Sequence, residues 1–202
     1  MLYPVRRDGA GTLALMAMPR TGEGLTCDVA ALVDAGVTDL VCLLADDELD
    51  RLDLGAEPAV VAAHGLCWHR LPTPDFGLPD KEEAATVAAA VRERLGQGAS
   101  VAVHCRGGIG RSSTFAAIVL MQEGLDERTV WKTLSSARGR RVPETGAQRR
   151  FAAKVAGQDA PGSPAAMQVG EAIGLKLAAA ITARIDGRRA RRRRRGGRDV
   201  SP

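Results

Sequence analysis

The segment Val103–Ser112 (VHCRGGIGRS) constrains the fold of this chain more than any other. Apolar residues typical of a buried strand lead into His104 and Cys105, three glycines stand among the next five residues, and an apolar helix pattern follows. A strand, a short glycine-rich turn and a helix in this order are typical of α/β proteins. We therefore expect Cys105 at the carboxyl end of a strand, the edge at which open sheets bind ligands.

The same segment has the composition of an anion-binding site. Gly107, Gly108 and Gly110 let backbone N–H groups turn toward one point, and the following helix aims its N-terminal donors and dipole there. Arg111 adds a planar fork that suits phosphate oxygens. Because Cys105 lies among these donors, its pKa is expected to fall. A nucleotide-binding P-loop is excluded, since its Gly-Lys-Ser/Thr ending is missing.

Strand and helix patterns alternate along the chain. Strands are predicted over Leu13–Met18, Asp39–Leu44, Leu66–Leu71 and Ser100–His104. Helices are predicted over Thr26–Ala35, Pro58–His64, Lys81–Leu95, Gly110–Gln122, Asp126–Ala137 and Thr145–Val155. Leu71–Asp80, with three prolines and a glycine, is predicted to be a loop. The predicted fold class is α/β, a three-layer sandwich in which a central, mostly parallel sheet of roughly four or five strands lies between helices.

The chain of 202 residues is expected to form one domain with a C-terminal extension. The composition changes at 157–164 (GQDAPGSP), so the domain is predicted over 1–157, and a linker with an amphipathic helix over 158–187. Residues 188–202 hold eight of the 28 basic and one of the 24 acidic residues, which leaves 20 against 23 and a net charge of −3 elsewhere. We expect this Arg-rich tail to be disordered, and its contacts remain open between acidic partners, nucleic acid and anionic membrane.

The four cysteines, Cys27, Cys42, Cys67 and Cys105, show no paired spacing. No signal-peptide pattern opens the chain, and no apolar run reaches the roughly 18 residues of a transmembrane segment. We expect a reduced, cytoplasmic, monomeric protein. His64 beside Cys67 is the nearest approach to a metal-ligand cluster, so no metal site is expected. An aromatic share of 3% argues against a single-stranded nucleic-acid binder.

The spacing of Cys105, Arg111 and Ser112 resembles the His-Cys-x5-Arg-Ser/Thr signature of the cysteine-dependent protein tyrosine phosphatase superfamily. Further matching segments occur in the order expected of its small dual-specificity branch: Leu40–Leu49 (LVCLLADDEL), Leu71–Pro79 (LPTPDFGLP) and Gly139–Phe151 (GRRVPETGAQRRF). They look most like the kinase-associated phosphatase subgroup and its bacterial relatives. The resemblance covers about residues 10–156.

The resemblance implies a role for each matched residue of the segment. Cys105 would be the nucleophile that forms a phosphocysteine intermediate, and Arg111 would bind the phosphoryl oxygens. Ser112 would help the thiolate to leave in the second step, and His104 would hold the loop and help to set the thiolate pKa. The phosphate would be cradled by the backbone of Arg106, Gly107, Gly108, Ile109, Gly110 and Arg111. No cofactor is expected, because the chain supplies nucleophile, acid and oxyanion donors.

Two residues outside the segment receive catalytic roles from the resemblance. Asp75, on the Pro-rich loop, would be the general acid and later the base that activates water. Asp80 is the rival, but it immediately precedes a helix and suits an N-cap. Gln148 would orient the hydrolytic water, and the alternative is a solvent-facing helix residue.

Cys42 is a candidate redox partner of Cys105. It lies on a strand expected to neighbour the Cys105 strand, and some members of the superfamily protect the nucleophile through such a disulfide. A thiolate of low pKa beside a second thiol is the chemistry that this requires. A buried packing role for Cys42 is the alternative.

The expected activity is that of a phosphoprotein phosphatase with a phosphorylated protein as its substrate. Phosphotyrosine is expected to be accepted, and acceptance of phosphoserine and phosphothreonine stays open, because a domain of this length leaves room only for a shallow site. Two alternatives remain: a phosphate-binding interaction protein of weak activity, and a phosphatase of phosphoinositides or small phosphoesters. The absence of lysines among the loop glycines argues against the inositide substrate, while Arg106 and the terminal arginines keep it open. Rhodanese-like sulfurtransferases and arsenate reductases also use a Cys loop but match Arg111 and Ser112 less well.

Overall fold

The fold is described from a computed structural model that covers residues 1–158. Apart from Gln158, the predicted linker and amphipathic helix over 158–187 lie outside the described residues, and so does the predicted tail over 188–202. Within the described part of the chain, no helix combines the length and the apolar character that crossing a membrane requires.

A five-stranded sheet in the order β1-β2-β5-β3-β4 forms the centre of the domain. Its strands are β1 (Leu2–Val5), β2 (Thr12–Ala17), β3 (Asp39–Cys42), β4 (Cys67–Arg70) and β5 (Ser100–Cys105). β1 pairs antiparallel with β2, and the other pairings are parallel. The predicted mostly parallel sheet is confirmed, and its middle strand is the one that leads into the glycine-rich segment.

Helices cover both faces of the sheet. They are α1 (Glu23–Asp34), α2 (Asp46–Arg51), α3 (Glu57–Ala63), α4 (Lys81–Gly96), α5 (Gly110–Gln122), α6 (Glu127–Arg138) and α7 (Gly146–Val155). Apolar residues of α1, α2 and α3 join one buried cluster, and those of α4, α5, α6 and α7 join the other. The predicted three-layer sandwich is therefore confirmed.

Side chains of β5 alternate between these two clusters, as the period of two in a strand requires. Val101, Val103 and Cys105 belong to the cluster under α4–α7, whereas Ala102 belongs to the cluster under α1–α3. His104 is the next residue of the second set, and it is completely buried. Neighbours in sequence at the end of β5 thus face opposite sides of the sheet.

Two elements are absent from the sequence-based prediction. β1 has four residues and contains Pro4, which suits an edge strand because proline cannot donate to a ladder. α2 has six residues, a length at which periodicity carries little information. The second omission matters more, because α2 directly follows the carboxyl end of β3, on the edge of the sheet where a ligand site is expected.

At the opposite edge of the sheet, the buried carboxylate of Asp39 ties α4 to β3 and β4. It accepts hydrogen bonds from Arg94 Nε at 2.9 Å and Nη2 at 3.0 Å, and it lies 2.9 Å from His69 Nε2. Burial opposes the charge, but the bonds from Arg94, His69 and Thr38 hold the pKa of Asp39 below its usual range. Since the native pKa is lowered, this carboxylate stabilises the fold above its unfolded pKa, and the contribution is lost as the pH falls through the native value.

We predict that Asp39→Asn lowers the free energy of unfolding at neutral pH by about 1–3 kcal/mol, because two charge-assisted hydrogen bonds are weakened. The variant should also lose less stability than the wild type on acidification. Urea unfolding between neutral and acidic pH measures both effects. Asp47→Asn is the matched control, since its side chain is 74% exposed and its pair with Arg51 lies on the surface. A loss as small as that of the control would contradict the anchoring role.

Candidate active site

The central strand places Cys105 at the start of the glycine-rich loop and opposite the start of α5. Cys105 is the last residue of β5 and is 3% exposed. Its Sγ lies 3.5 Å from Ser112 Oγ, in the first turn of α5. The loop between them reverses the chain within four residues, Arg106–Ile109, so the sulfur lies beneath the N-terminus of the helix. The structure therefore brings Cys105, Ser112 and the predicted loop residues together.

Gly108 is the residue that lets the loop close against β2. Its φ is +67°, a conformation that side chains rarely adopt. A Cβ on Gly108 would stand 2.4 Å from the carbonyl oxygen of Met16, which is backbone and cannot move aside. Both the dihedral angle and the close approach therefore require glycine here.

The surroundings of Cys105 favour its thiolate. Burial alone would raise the pKa of the thiol, but hydrogen bonds from the Ser112 hydroxyl and the backbone N–H groups of Ser112 and Ile109, together with the charge of Arg111, lower it below its usual value. A thiolate is the nucleophilic form of cysteine. These donors explain the low pKa of Cys105 that the sequence led us to expect.

Arg111 is 4% exposed and is held from three sides. Both its terminal nitrogens contact the carboxylate of Glu48, and Nη1 also donates to the carbonyl oxygen of Thr73 at 2.9 Å. Nη2 lies 3.0 Å from Asp75 Oδ1. No side chain or carbonyl among the described residues accepts from Nε. The guanidinium is therefore fixed by Glu48 while one edge stays available to a ligand.

Glu48 is a site residue that the sequence analysis did not identify. It is buried on α2, and Ala45 N–H donates to its Oε2 at 3.0 Å. Burial opposes its charge, but the hydrogen bonds from Arg111 and Ala45 hold the pKa of Glu48 below its usual range. Its position in the sequence could have indicated this role. Glu48 belongs to the LVCLLADDEL segment, which leads from β3 to the edge of the sheet where the ligand site forms.

Asp75 reaches the site from the Pro-rich loop, as predicted. Its side chain is 41% exposed, and its contact with Arg111 places it at the mouth of the site. The following residue, Phe76, has a φ of +55° and is 66% exposed, which is unfavourable for a large side chain on both counts. Asp80, the rival, accepts from the N–H groups of Glu82 and Glu83 and is the N-cap of α4. The carboxylate of Asp80 is therefore used in capping α4, whereas the carboxylate of Asp75 lies beside Arg111.

On the other face of the sheet, His104 forms a buried ion pair with Glu57. His104 Nε2 lies 3.0 Å from Glu57 Oε1, and both side chains are completely buried. Burial opposes the charged imidazolium, but the adjacent Cys42 sulfur and Glu57 carboxylate raise the pKa of His104 to about 10. The charge of His104 in turn lowers the pKa of Glu57 against the effect of burial. The residue that immediately precedes the nucleophile in sequence is thus itself a fixed, buried cation.

Cys42, Glu57 and His104 also offer three zinc-type ligand atoms within 4.8 Å of one another. The imidazole and the carboxylate of this group already contact each other at 3.0 Å. We therefore interpret this group as an ion pair with an adjacent thiol. It replaces His64 and Cys67 as the nearest approach to a ligand cluster in residues 1–158.

The structure does not bring Cys42 to Cys105, and the predicted redox pairing requires correction. In the parallel pairing of β3 with β5, Cys42 lies opposite His104, one residue before the nucleophile. Cys42 therefore points to the face under α1–α3, while Cys105 belongs to the cluster under α4–α7. Adjacent strands were predicted correctly, but the register assigns the two sulfurs to opposite faces.

Gln148 is buried on α7, which excludes the solvent-facing alternative. Its Oε1 accepts from Thr145 N–H at 3.2 Å. Within residues 1–158 its Nε2 has no acceptor, and it faces the start of α5, 3.1 Å from the point where a Cβ of Gly110 would stand. A buried amide N–H without an acceptor beside the anion-binding loop is placed to donate to a ligand there.

A parallel sheet that ends in such an anion-binding loop, with the cysteine inside it, is the architecture of cysteine-dependent phosphatase domains. Comparison with known families confirms this class. The chain belongs to the family described as "Swiss Army Knife protein, DSP-PTPase phosphatase domain", whose model matches residues 9–159. The resemblance to the small dual-specificity branch is therefore confirmed.

Individual relatives are more distant. The chain is 27% identical over 94 residues to cyclin-dependent kinase inhibitor 3 of Sus scrofa, a match that covers 46% of this chain and 44% of that protein. The matched region thus spans less than half the length of this curated relative.

Solved structures share the fold at low sequence identity. A crystal structure of kinase-associated phosphatase, with its catalytic-site cysteine replaced by serine, has a TM-score of 0.68 at 20% identity and covers 75% of this chain and 91% of that one. PTPMT1 in complex with PI(5)P has a TM-score of 0.60 at 20% identity and covers 78% and 99%. These two likenesses establish the fold.

Gly108→Ala is predicted to weaken binding of vanadate, a phosphate analogue, by roughly tenfold or more, because the added methyl group pushes the loop away from β2. Isothermal titration measures the affinity. The matched control is Gly65→Ala, whose φ is +78° but whose Cβ would meet nothing within 4 Å. The control should cost about 1 kcal/mol of stability from the dihedral angle alone and leave vanadate binding intact. Equal vanadate affinity in both variants would refute the steric argument.

Glu57→Gln is predicted to reduce the free energy of unfolding at pH 7 by roughly 3–5 kcal/mol, because His104 loses its buried counter-ion. The pKa of native His104 is raised from 6.5 to about 10, so the pair contributes fully below pH 6.5 and its contribution is lost as the pH rises toward 10. The wild type should therefore lose stability between these pH values, and the variant should show a flatter profile. Urea unfolding at several pH values tests this, with the exposed Glu93→Gln as control. Parallel profiles would show that the pair is not charged.

Proposed function

We propose that this protein is a phosphoprotein phosphatase that acts on phosphotyrosine, and on phosphoserine and phosphothreonine, through a phosphocysteine intermediate. The single observation that supports this most is the Cys105 sulfur itself. It is buried, it receives hydrogen bonds from Ser112 and from the N–H of Ile109, and the charge of Arg111 favours its thiolate. A structural thiol needs none of these donors, whereas a nucleophile that attacks a phosphate ester needs all of them.

In the first step, the Cys105 thiolate attacks the phosphorus atom, so that a sulfur–phosphorus bond forms while the bond to the leaving oxygen breaks. The loop N–H groups and Arg111 neutralise the charge on the phosphoryl oxygens. Asp75 gives a proton to the leaving oxygen. In the free enzyme Asp75 lies 3.0 Å from Arg111 Nη2. Phosphoryl oxygens that replace it at this nitrogen release its carboxyl group to face the leaving group.

In the second step, water attacks the phosphocysteine, and the sulfur–phosphorus bond breaks to give inorganic phosphate and the thiolate. Asp75, now a carboxylate, takes the proton of the water. Ser112, 3.5 Å from the sulfur, donates to the departing thiolate. Gln148 Nε2, at the edge of the loop, orients the water.

We infer the substrate class from the length of the domain, which leaves room only for a shallow site. Such a site accepts both aryl and alkyl phosphates attached to a polypeptide. Exposed apolar side chains beside the acid, Phe76 at 66% and Leu78 at 38%, offer contacts to the residues that carry the phosphate. A phosphoinositide phosphatase and a phosphate-binding interaction protein are the alternatives that the experiment must separate. For the cellular setting, we propose a cytoplasmic monomer.

The decisive experiment is hydrolysis of p-nitrophenyl phosphate in the presence of a chelator by the wild type, Cys105→Ser and Cys27→Ser. Cys27 is exposed on α1, so its replacement is a matched control that should keep full activity. We expect metal-independent turnover that vanadate inhibits and that Cys105→Ser abolishes. Folded wild-type protein that binds vanadate without turnover would instead establish the interaction protein.

Asp75→Asn should reduce kcat by about 10²–10⁴-fold on phosphoserine peptides, because an alkoxide is a poor leaving group without a proton donor. The effect should be much smaller on p-nitrophenyl phosphate, whose leaving group needs less assistance. Asp80→Asn is the matched control, since asparagine still caps α4. If both variants behave alike, Asp75 is not the general acid.

A further inference from the structure

Positive charge is concentrated around the catalytic loop, although the chain without its Arg-rich tail has a net charge of −3. Five arginines follow within 13 residues at the end of α6 and the start of α7: Arg138, Arg140, Arg141, Arg149 and Arg150. The first of them donates to the carbonyl oxygen of Gly107 at 3.3 Å, so this segment is attached directly to the loop. An unbalanced cluster of one sign beside a site attracts ligands of the opposite sign.

A cavity of about 470 Å³ lies between this segment and the loop. Ile109 of the loop forms one wall, and the other side is lined by Arg140, Arg141 and Arg149. Among the described residues that line it, the one carboxylate is that of the exposed Glu144, which approaches Gly110. Three cations therefore face one anion in a space that borders the phosphate loop.

Two of these cations have no partner among residues 1–158. The guanidinium of Arg149 stacks over Trp131 at 5.2 Å and lies 3.8 Å from Glu127. For Arg140 and Arg141, the described part of the chain offers no carboxylate and no aromatic ring within contact distance. Unpaired guanidinium groups beside a phosphate site are free to take a bidentate anion.

The backbone holds these two arginines in place. Gly139 ends α6 in the left-handed conformation, with a φ of +65°. Arg140 N–H then donates to the carbonyl oxygen of Ser135 at 3.1 Å, and Val142 N–H donates to Ser135 Oγ at 3.2 Å. Val142 is itself buried. Arg140 and Arg141 thus project from a short turn that is fixed at both ends.

The cavity continues into a longer groove. A second depression of about 860 Å³ shares Gly146 and Arg149 with the first and reaches Leu78, on the loop that carries Asp75. The groove therefore runs from the acid loop, past the start of α7, to Arg140 and Arg141. An extended polypeptide fits such a groove, with apolar contacts at one end and anion contacts at the other.

We propose that this cavity is a second anion-binding subsite, which takes a phosphate or carboxylate carried by a residue near the phosphorylated residue of a protein substrate. The subsite rests on the proposed function, since it requires a phosphorylated residue in the catalytic loop. Arg140 and Arg141 bind the second anion, and Arg149 adds to the field without leaving Trp131. Substrates with acidic flanks are preferred over neutral ones.

The test compares wild type with the double variant Arg140→Gln/Arg141→Gln on three phosphotyrosine substrates: a peptide with neutral flanks, one with glutamate flanks and one with a second phosphate. We expect KM for the acidic and doubly phosphorylated peptides to rise about tenfold, as two partly exposed charge contacts are lost. The neutral peptide and p-nitrophenyl phosphate should change less than twofold. High salt should reduce the wild-type preference. The matched control is Arg92→Gln/Arg128→Gln, two exposed arginines that line neither cavity.

Three results would overturn the subsite. Equal kinetics of wild type and double variant on acidic peptides would exclude any anion contact there. An equal loss on every substrate would show a defect of the catalytic loop. Turnover of phosphoinositide vesicles that depends on Arg140 and Arg141, without a preference among peptides, would assign the cavity to a lipid headgroup. Wild-type protein without turnover of p-nitrophenyl phosphate would overturn the proposed function and the subsite together, whereas turnover without acidic preference overturns the subsite alone.

Discussion

The active site depends on holding a negative sulfur and a positive guanidinium together in a buried place. Neither charge is stable there alone, because burial disfavours each of them. The sulfur is supported by N–H and hydroxyl donors of the loop and α5, and the guanidinium by Glu48 of α2. These elements follow β5 and β3, so the charges are balanced by segments that meet only at the carboxyl edge of the sheet. The catalytic loop therefore depends on β5 and β3 being neighbours in the sheet.

A second buried cation is paired with a carboxylate on the opposite face of β5. His104 is paired with Glu57 from α3, again a buried cation held by a carboxylate from a helix that follows the sheet edge. The two pairs lie on either side of one strand, one facing the ligand and the other facing the core. The buried charge of His104 is thereby balanced by that of Glu57, as the charge of Arg111 is balanced by that of Glu48.

The local parts of this arrangement could be predicted from the sequence. The strand before Cys105, α5 with its bounds, the Pro-rich loop and the cap at Asp80 all follow from short-range patterns of glycine, proline and apolar residues. The carboxylates of Glu48 and Glu57 could not be assigned, since their partners are about 50 residues away or more and pairing depends on tertiary packing. The side on which Cys42 lies depends on the register of β3 against β5, which a single strand sequence does not encode. The sequence thus predicted the reacting residues, such as Cys105 and Asp75, but not the carboxylates of Glu48 and Glu57 that pair with Arg111 and His104.

The register of β3 has a consequence for the chemistry of oxidation. All four cysteines of the chain lie among the described residues. Cys42 is on the far face of the sheet, Cys27 is exposed on α1, and Cys67 begins β4 at the edge away from the loop. A sulfenic acid formed at Cys105 therefore meets no resolving thiol from its own chain, and its repair depends on a thiol supplied by the surrounding solution. The recovery rate of Cys105 after oxidation is then set by the reductant that reaches the loop rather than by the fold.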